Sequence, residues 1–493
     1  MKIGFLSLGC PKNLVDGEVM LGLAREAGHE ITADPGGADV LVVNTCAFID
    51  SAKQESIDAI LEMAARKRDG TCSRLVVTGC LAERYREELK NEIPEIDAVL
   101  GTGEVEGIVS AVGGPEPTTR DQGTAVQPLR FFSPSAGYRQ RARRPAESQS
   151  FLAPGPWPQA PGPLREPRPP ARVPDYLYDA DTPRLLTTPE HYAYVKVAEG
   201  CDYTCAFCII PTLRGAYRSR ANESIVREAR ALATRGVCEL LLISQDTTFF
   251  GIDRGERGAL ARLLRDLNAI DGLKWIRLLY LYPTTITDDV LAAMADCEKV
   301  CRYVDLPLQH ASPAVLKRMR RPGDRRTYDR LLARIRARVP GVTLRTTLIV
   351  GFPGETDADF RELSDFVADT QFDHVGVFTY SHEEGTRAFD LVDDVPAAVK
   401  RRRRNALMTR QRRIVGRIHR TRVGSEVSVM VDGPSPEHEL VVQGRLEGQA
   451  PEIDPVVYFT DCRPDTLGRG DLIRARIVGA RGYDLIAAPV GGR

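Results

Sequence analysis

Three cysteines in one short segment carry the clearest chemical signal in the sequence. Cys201, Cys205 and Cys208 have the spacing Cys-x3-Cys-x2-Cys and follow a predicted strand. Thiolate is the preferred ligand of iron–sulfur clusters, so one such loop can hold three irons of a [4Fe–4S] cluster and leave the fourth iron open. A structural zinc site needs four ligands at paired spacings, and the sequence nearby has no fourth Cys or His. Three buried thiols that happen to be close are the other alternative.

A second set of cysteines is spread over the first 80 residues. Cys10, Cys46 and Cys80 each come directly after a predicted strand, in the strings SLGC, VVNTC and VVTGC. The carboxyl ends of parallel strands meet at one edge of an open sheet, so residues distant in sequence can converge there. The pattern predicts a second three-cysteine cluster, with buried core thiols as the alternative.

The remaining cysteines show no such arrangement. Cys297 and Cys301 lie four positions apart but have no third partner in the sequence around them, and Cys238 lies beside a predicted strand. Eleven cysteines in 493 residues are too few, and odd in number, for a disulfide scaffold. We assign no site to five of them: Cys72, Cys238, Cys297, Cys301 and Cys462.

Residues at other strand ends are candidates for the surroundings of a bound cofactor. Gln245 ends one predicted strand, and a turn with Gly351 and Gly354 ends another. Turn geometry alone explains glycines, but exposed backbone at the rim of a barrel also suits an adenosine group. Gln309 and His310 end a further strand, and for them ordinary loop polarity is the alternative.

The spacing of apolar residues predicts the elements that position these side chains. Near the N-terminus, short apolar strands at 2–9, 39–45 and 74–79 alternate with helices at 18–27 and 53–67. This alternation is typical of an open α/β sheet.

A similar alternation resumes near residue 192 and predicts a partial (β/α) barrel with six strand–helix units. An open doubly wound sheet is the alternative. The predicted strands are 194–199, 239–245, 275–282, 303–308, 343–351 and 374–381. The predicted helices are 224–235, 259–269, 288–294, 325–338 and 357–370.

Three further segments differ in composition. Residues 115–174 hold 14 of the 33 prolines, which predicts a linker or disordered insert, with a basic docking arm as the alternative. Residues 396–423 carry eleven Lys or Arg and no acid, which predicts a basic helix. Residues 424–493 contain short strands separated by Gly and Pro, which favours a small β-barrel.

Overall composition excludes several classes of protein. Hydrophobic residues make up 43% and charged residues 27% of the chain, so it is neither collagen-like nor wholly disordered. No apolar run approaches the roughly 20 residues of a membrane helix, and we expect a cytoplasmic protein. The 67 basic and 67 acidic residues cancel. However, residues 424–493 have seven basic against eleven acidic residues, which favours a basic protein partner over RNA.

The sequence resembles the methylthiotransferases, a radical S-adenosylmethionine (SAM) family, over nearly the whole chain outside 115–185. The resemblance rests on LGCPKNLVDGE at 8–18, VNTCAFIDSAKQESIDAI at 43–60, EGCDYTCAFCIIP at 199–211, ISQDTTFFG at 243–251, RLLYLYP at 277–283 and APEIDPVVYF at 450–459. Pro11-Lys12-Asn13 after the first cysteine is similar to the branch that modifies a ribosomal protein. The tRNA-modifying relatives usually carry Gln-Met-Asn there.

The resemblance implies a domain order and a set of cofactor ligands. Cys10, Cys46 and Cys80 would hold an auxiliary [4Fe–4S] cluster, and Cys201, Cys205 and Cys208 the cluster that cleaves SAM. Phe207, next to the last cysteine, fits the family pattern, and it would surround SAM together with Gln245, Gly351 and Gly354. The implied domains are an N-terminal α/β domain at 1–114, an insert or linker at 115–185, a radical SAM barrel at 186–395, the basic helix at 396–423 and a TRAM-like β-barrel at 424–493.

The resemblance also implies an activity. One SAM would donate a methyl group to an inserted sulfur, and a second would yield a 5′-deoxyadenosyl radical that abstracts hydrogen from the β-carbon of an aspartate in ribosomal protein S-twelve. We expect a monomer with no membrane association, an electron donor such as flavodoxin or ferredoxin, and a contact of the basic helix with ribosomal RNA, for which a solvated arginine face is the alternative. A tRNA adenosine methylthiotransferase and a non-catalytic iron–sulfur electron carrier or RNA-binding scaffold are the competing functions.

Overall fold

The computed structural model of the protein describes residues 1–113 and 174–491. Two compact units divide the chain. The first comprises Met1–Tyr176 with Pro183–Thr187, and the second comprises Leu177–Thr182 with Thr188–Arg493. The predicted linker therefore lies, from residue 115 to residue 173, outside the described residues.

The first unit contains a five-stranded parallel sheet in the order β2-β1-β3-β4-β5. Its strands are β1 Lys2–Ser7, β2 Glu30–Thr32, β3 Val40–Thr45, β4 Arg74–Gly79 and β5 Ala98–Leu100. Its helices are α1 Pro11–Glu26, α2 Asp50–Arg68, α3 Cys80–Arg84, α4 Arg86–Glu92 and α5 Ile108–Val112. The predicted open α/β sheet is confirmed, with two added strands of three residues each.

Helix α1 begins seven residues earlier than the sequence pattern predicts. The prediction placed its start at Glu18, whereas the helix begins at Pro11. Proline is favoured at the first helical position because its missing N–H needs no partner there and its φ angle is already helical. Cys10 is consequently the N-cap residue of the helix, with φ −90° and ψ 165°.

The segment that follows the undescribed residues makes specific contacts. Arg184 forms an ion pair with Glu18, whose side chain is completely buried, and the backbone N–H of Thr187 donates to the same carboxylate. In the second unit, Tyr178 is buried and donates to Glu228. Side-chain contacts therefore hold residues 183–187 within the first unit and residues 177–182 within the second.

The second unit contains six parallel strands that follow one another in chain order. These are β6 Tyr192–Lys196, β9 Glu239–Ile243, β10 Trp275–Leu278, β11 Tyr303–Asp305, β12 Thr343–Val350 and β13 His374–Thr379. Two three-stranded sheets, β6-β9-β10 and β11-β12-β13, are joined by a parallel bridge between Ile276 and Val300. A doubly wound sheet reverses its strand order, so the unreversed order confirms the partial (β/α) barrel.

Helices lie between the barrel strands; five of them match the sequence predictions, and the short helices Ile210–Arg214 and Pro313–Arg318 were not predicted. They are α6 Ile210–Arg214, α7 Asn222–Thr234, α8 Ala259–Asn268, α9 Asp288–Asp296, α10 Pro313–Arg318, α11 Arg325–Arg338 and α12 Asp357–Thr370. A two-stranded ribbon of β7 Ala198–Glu199 and β8 Arg218–Ser219 flanks the loop with the three cysteines. The predicted basic helix is α13 Ala397–Arg422. None of the helices in the described ranges combines the length and hydropathy needed to span a bilayer.

The chain ends in a closed five-stranded barrel with the order β14-β15-β16-β18-β17. Its strands are β14 Glu426–Ser435, β15 His438–Arg445, β16 Val457–Phe459, β17 Leu472–Arg481 and β18 Asp484–Pro489. The core is aliphatic and includes Val429, Val457 and Leu485. The predicted small β-barrel is confirmed.

Buried charges join this small barrel to the (β/α) barrel. Arg445 of β15 pairs with Glu239 at the start of β9 at 2.7 Å, and with Asp432 of β14 at 2.9 Å. Arg277 of β10 pairs with the same Glu239 at 2.9 Å, and all of these side chains except that of Asp432 are at most 1% exposed. The segment between β15 and β16 adds Asp454, which accepts from Tyr303. The amino ends of the barrel strands are therefore fixed to the small barrel.

Candidate functional site

The first cysteine set lies at the carboxyl ends of three adjacent strands. Cys10 follows β1, Cys46 follows β3 and Cys80 follows β4. Ser7 of β1 is in register with Asn44 of β3, and Thr45 of β3 is in register with Gly79 of β4. The structure therefore brings the three predicted cysteine loops to one edge of the sheet.

Two glycines show how closely these loops approach one another. A Cβ atom added to Gly9, which has φ +92°, would lie 2.7 Å from Cβ and 3.0 Å from Sγ of Cys46. A Cβ atom added to Gly79 would lie 2.5 Å from Oδ1 of Asn44. Because the residue before Cys10 and the residue before Cys80 each pack against the Cys46 strand end, the loops form one continuous surface.

Two buried asparagines tie the strand ends together. Asn13 Nδ2 donates to the carbonyl oxygens of Leu8 at 2.7 Å and Thr45 at 3.2 Å. Asn44 Nδ2 donates to the carbonyl oxygen of Asn13 at 2.7 Å. The loop that carries Cys10 is thus hydrogen-bonded to the strand that leads to Cys46. The sequence alone does not reveal this role, because nothing in it shows which backbone groups an asparagine of a helix or a strand will reach.

Ser56 of α2 holds the backbone of Cys46 from both sides. Its Oγ accepts from the Cys46 N–H and donates to the Cys46 carbonyl oxygen, both at 3.0 Å. Replacing Ser56 by Ala would leave these two backbone groups without that partner, at a cost of about 1–3 kcal/mol. Groups that orient the ligands of a metal site also affect its affinity, typically by about 10–100-fold.

We expect Ser56→Ala to lose iron from the Cys10–Cys46–Cys80 site to a chelator faster than the parent protein, while far-UV circular dichroism is unchanged. Iron retention is measured in a variant in which Cys201, Cys205 and Cys208 are replaced by alanine, so that the measured iron comes from the Cys10–Cys46–Cys80 site. Ser110→Ala is the matched control, because Ser110 is an exposed serine of the same unit that caps a single carbonyl oxygen. Equal iron loss in the two variants would show that Ser56 does not position the ligand.

The second cysteine set lies in one loop between β7 and α6, and backbone hydrogen bonds anchor this loop. The Cys201 N–H donates to Gly215 O at 3.1 Å, and the Ala206 N–H donates to Met319 O at 2.9 Å. The carbonyl oxygen of Ala206 in turn accepts from the Ala388 N–H at 2.7 Å. Phe207 packs against a buried cluster of Ala206, Val315, Met319, Phe352, Tyr380 and Ala388. The loop is thus held by segments from three parts of the barrel.

Burial and the nearby thiols favour the protonated form of Cys201 and Cys208 in the protein alone. Burial raises the pKa of Cys201 to about 11 and that of Cys208 to about 12, and the neighbouring thiols add to both effects. A thiol must lose its proton to bind iron, so a cationic partner has to supply the compensating charge. The donor set, three thiols and no carboxylate, fits an iron–sulfur cluster.

The loop is also fixed through an aromatic side chain. Tyr203, between Cys201 and Cys205, donates to Oδ2 of Asp246 at 2.8 Å and stacks on Tyr282 with ring centroids 3.9 Å apart. Burial raises the pKa of Asp246, although hydrogen bonds from Thr248 and Tyr203 oppose this effect. The strand-end Asp246 therefore holds the cysteine loop through Tyr203.

Gln245 lies at the same rim and is already engaged on one side. Its Nε2 donates to Glu199, which precedes the cysteine loop, and Glu199 also accepts from Lys196 and Arg214. Burial opposes ionisation of Glu199, but the charges of Arg214 and Lys196 outweigh it and hold its pKa well below the usual range. The other side-chain atom of Gln245, Oε1, is buried and has no hydrogen-bond partner in the described residues.

The two rim glycines are occupied by protein groups. The Gly351 N–H donates to Glu355, and an added Cβ would lie 2.3 Å from the Lys400 side chain. The Gly354 N–H donates to Asp394 at 2.7 Å, and its carbonyl oxygen accepts from Arg318 at 2.8 Å. Close packing of Lys400 and these internal hydrogen bonds account for both glycines without a ligand.

The first cysteine set is identified by its thiol donors and by the meeting of three loops. The second is identified by its thiol donors and by their spacing within one loop. No cysteine in the described ranges forms a disulfide bond. In residues 1–113 and 174–491, no three Cys, His, Asp or Glu side chains are already drawn together as a metal site. The Cys297 and Cys301 thiols are buried in the core, as expected for residues without a site.

The domain comparisons agree with this architecture. Residues 2–101 match the Uncharacterized protein family UPF0004, residues 195–367 match the Radical SAM superfamily, and residues 423–490 match the TRAM domain. The radical SAM methyltransferase TsrM from Kitasatospora setae, solved with a tryptophan substrate and a SAM analogue, has a TM-score of 0.49 and 15% identity, and the match covers 76% of this chain and 72% of that one.

The fold and the (β/α)-barrel loop of three cysteines define a radical SAM enzyme, which uses SAM and an iron–sulfur cluster. The chain is 47% identical to the ribosomal protein uS12 methylthiotransferase RimO of Koribacter versatilis, over 99% of this chain and 96% of that protein. It is 45% identical to the protein of the same name from Pelotomaculum thermopropionicum, over 99% of both chains. The chain belongs to the RimO family of methylthiotransferases.

Proposed function

We propose that this enzyme attaches a methylthio group to the β-carbon of an aspartate in ribosomal protein uS12. The observation that carries the proposal is the presence of three cysteines at adjacent strand ends of the first unit and three in one loop of the second unit, in a chain that matches RimO proteins along its length. A β-carbon hydrogen is beyond ordinary acid–base side chains, so a cofactor must carry that step while the protein positions and shields it. We propose the cytoplasm, where ribosomal proteins are made, as its location.

In this proposal Cys201, Cys205 and Cys208 hold the cluster that binds SAM. A [4Fe–4S] cluster held by these three cysteines would supply the electron for reductive cleavage of SAM, and an electron donor such as flavodoxin or ferredoxin would reduce it beforehand. The protein's own part is to fix the loop through Met319 and Ala388 and to exclude water with the apolar cluster beneath Phe207.

Cys10, Cys46 and Cys80 hold a second, auxiliary [4Fe–4S] cluster in this proposal. Their positions after adjacent strands support it, as do Asn13, Asn44 and Ser56, which fix the backbone around Cys10 and Cys46. Gln245 supports a SAM site at the barrel rim through its unpartnered Oε1. Phe207 belongs to the same proposed surroundings of SAM. Gly351 and Gly354 belong to them through the close packing of Lys400 and Arg318 at the barrel rim.

The charge of the small barrel is less informative than its composition indicates. Two of its acidic residues, Asp432 and Asp454, contact the (β/α) barrel through His191 and Tyr303. Their charges are therefore directed inward and are not presented to a substrate. The acidic excess of residues 424–493 does not by itself favour a basic protein partner.

Helix α13 supports the proposed contact with ribosomal RNA. Lys400 and Arg403 turn inward, where they pair with Asp393 at 2.7 Å and Glu355 at 3.0 Å. Four other arginines of the helix are exposed and have no hydrogen-bond or ion-pair partner in the described residues: Arg401, Arg402, Arg413 and Arg420. Unpaired arginines on one exposed helix suit phosphate groups.

The proposal is tested by mass spectrometry of uS12 and of bulk tRNA from a strain that lacks the gene. We expect uS12 to lose the mass of its methylthio group and tRNA to keep its modified adenosines. Complementation with the intact gene should restore the modification of uS12. Loss of methylthio groups from tRNA alone would instead identify a tRNA adenosine methylthiotransferase.

A further inference from the structure

Arg321 is a buried cation beside the cysteine loop of the (β/α) barrel. It lies three residues after α10 and is 8% exposed. One arm of its guanidinium donates to Sγ of Cys205 at 3.7 Å, and the other donates to Pro307 O at 2.6 Å. A hydrogen bond to a cysteine sulfur and one to a backbone oxygen together fix the plane of the guanidinium.

Aromatic stacking holds Arg321 against the same loop. Its guanidinium carbon lies 4.2 Å from the ring centroid of Tyr282, and Tyr282 stacks on Tyr203 at 3.9 Å with an interplanar angle of 6°. Two groups this close to one ring occupy its opposite faces. Since Tyr203 lies between Cys201 and Cys205, the stack attaches Arg321 to the loop independently of the sulfur contact.

Arg321 differs from every other buried arginine in the described residues. The other five each pair with at least one carboxylate: Arg214 with Glu199, Arg220 with Glu228, Arg277 with Glu239, Arg403 with Glu355, and Arg445 with Glu239 and Asp432. Arg321 has no carboxylate within ion-pair distance, and its Nε has no hydrogen-bond partner in the described part of the chain. An unpaired buried charge is costly, so this position calls for an anion.

We propose that Arg321 is the built-in counter-ion of the cluster held by Cys201, Cys205 and Cys208, and that it favours the reduced form of that cluster. The inference rests on the proposed function of this loop. Three thiolates outweigh the positive charge of the oxidised iron–sulfur core, and the electron from the flavodoxin or ferredoxin adds one further negative charge. Net charge and hydrogen bonds to the sulfurs set the potential of such a cluster, so a fixed cation at Cys205 makes reduction easier.

The test compares charge variants in protein that carries only this cluster. The background is the full chain with Cys10, Cys46 and Cys80 replaced by alanine, and the readout is the reduced fraction from the electron paramagnetic resonance signal in a redox titration. We expect Arg321→Gln to lower the ratio of reduced to oxidised cluster about tenfold at a fixed potential, which is 59 mV for one electron. Arg321→Lys, which keeps the charge, should recover most of the ratio.

Two further variants make the outcome unambiguous. Arg320→Gln removes an equal charge from the adjacent exposed position and should leave the potential unchanged, because solvent screens it. If Arg321→Gln does not take up iron, Arg321→Met retains an apolar chain over Tyr282 and gives the same readout. If Arg321→Gln or Arg321→Met has full iron content and an unchanged reduction potential, the inference about Arg321 is overturned, whereas the assignment of the cluster to this loop still stands. A background protein that binds no iron would contradict the proposed function instead.

Discussion

Anaerobically reconstituted protein should contain about eight irons, the sum of two four-iron clusters. Replacing Cys10, Cys46 and Cys80 together by alanine should halve the iron content, and the variant should still cleave SAM when a reductant is present. Replacing Cys201, Cys205 and Cys208 should also halve the iron content but abolish cleavage. The two triple variants are thus expected to match in iron and differ in chemistry, as measured by a colorimetric iron assay and by release of 5′-deoxyadenosine.

The structure supplies a matched control for this result. Cys297 and Cys301 have the spacing of a metal motif, but both are buried. Burial raises the pKa of the Cys301 thiol to about 12, and the nearby Arg277 only partly offsets this effect. The sequence around this pair offers no third cysteine, so Cys297→Ala with Cys301→Ala should retain all of the iron.

Either of two measurements would contradict the assignment of ligands. If the Cys10, Cys46 and Cys80 variant kept the iron content of the parent, the auxiliary cluster would be wrong, whereas the barrel cluster would stand. If the control pair lost iron, Cys297 and Cys301 would have to be included among the ligands. Far-UV circular dichroism distinguishes both outcomes from unfolding.

Local sequence signals were sufficient to place Cys10, Cys46 and Cys80, the proposed auxiliary ligands, at one edge of the sheet because each follows a strand. The apolar run of β4 ends at Gly79, and Cys80 is the next residue, so strand order and parallel pairing alone bring Cys80 towards Cys46. The six barrel strands were found for the same reason, since buried parallel strands are continuous apolar segments. The strands Glu30–Thr32 and Ala98–Leu100 were missed because three residues carry too short a pattern.

Residues that act through tertiary contacts left no comparable signal. Arg321 belongs to the basic string RMRR in the sequence, and only the fold places it on Cys205 and Tyr282. The sequence does show the acidic excess of the small barrel, but composition does not show which of its carboxylates are buried. Asp432 and Asp454 are both directed at the (β/α) barrel, where they contact His191 and Arg345. Charge counts therefore describe a surface only after internal pairs have been removed.

Arg445→Met should destabilise the second unit by about 3–5 kcal/mol, because removing one partner of a buried ion pair leaves the other charge without compensation. Arg445 is 1% exposed and is hydrogen-bonded to both oxygens of Asp432, and it is ion-paired with Glu239. Its loss leaves Glu239 with Arg277 as the remaining cation of the network. The expected result is a large shift of the unfolding transition of the second unit to lower urea concentration.

Intrinsic fluorescence can follow this transition at the network itself. The chain has two tryptophans, and Trp275 lies with its ring 5.9 Å from the Arg445 guanidinium. Arg474→Met is the matched control, because Arg474 is an exposed arginine of the same small barrel that pairs with the surface residue Glu426. Surface pairs of this kind contribute little, so we expect no measurable shift for the control.

A double-mutant cycle separates the network from the packing of the arginine stem. Glu239→Gln removes the charge of the (β/α) barrel that Arg445 compensates, so the double variant should be less destabilised than the sum of the single variants, by about 0.5–3 kcal/mol. Additive effects would mean that the charge pair between Arg445 and Glu239 contributes nothing, and that Arg445 stabilises the protein through its pair with Asp432 and its hydrocarbon stem. Non-additive effects would mean that buried charge fixes the small barrel to the amino ends of the barrel strands. Any surface that the small barrel presents to uS12 would then keep a constant position relative to the cysteine loop at the opposite strand ends.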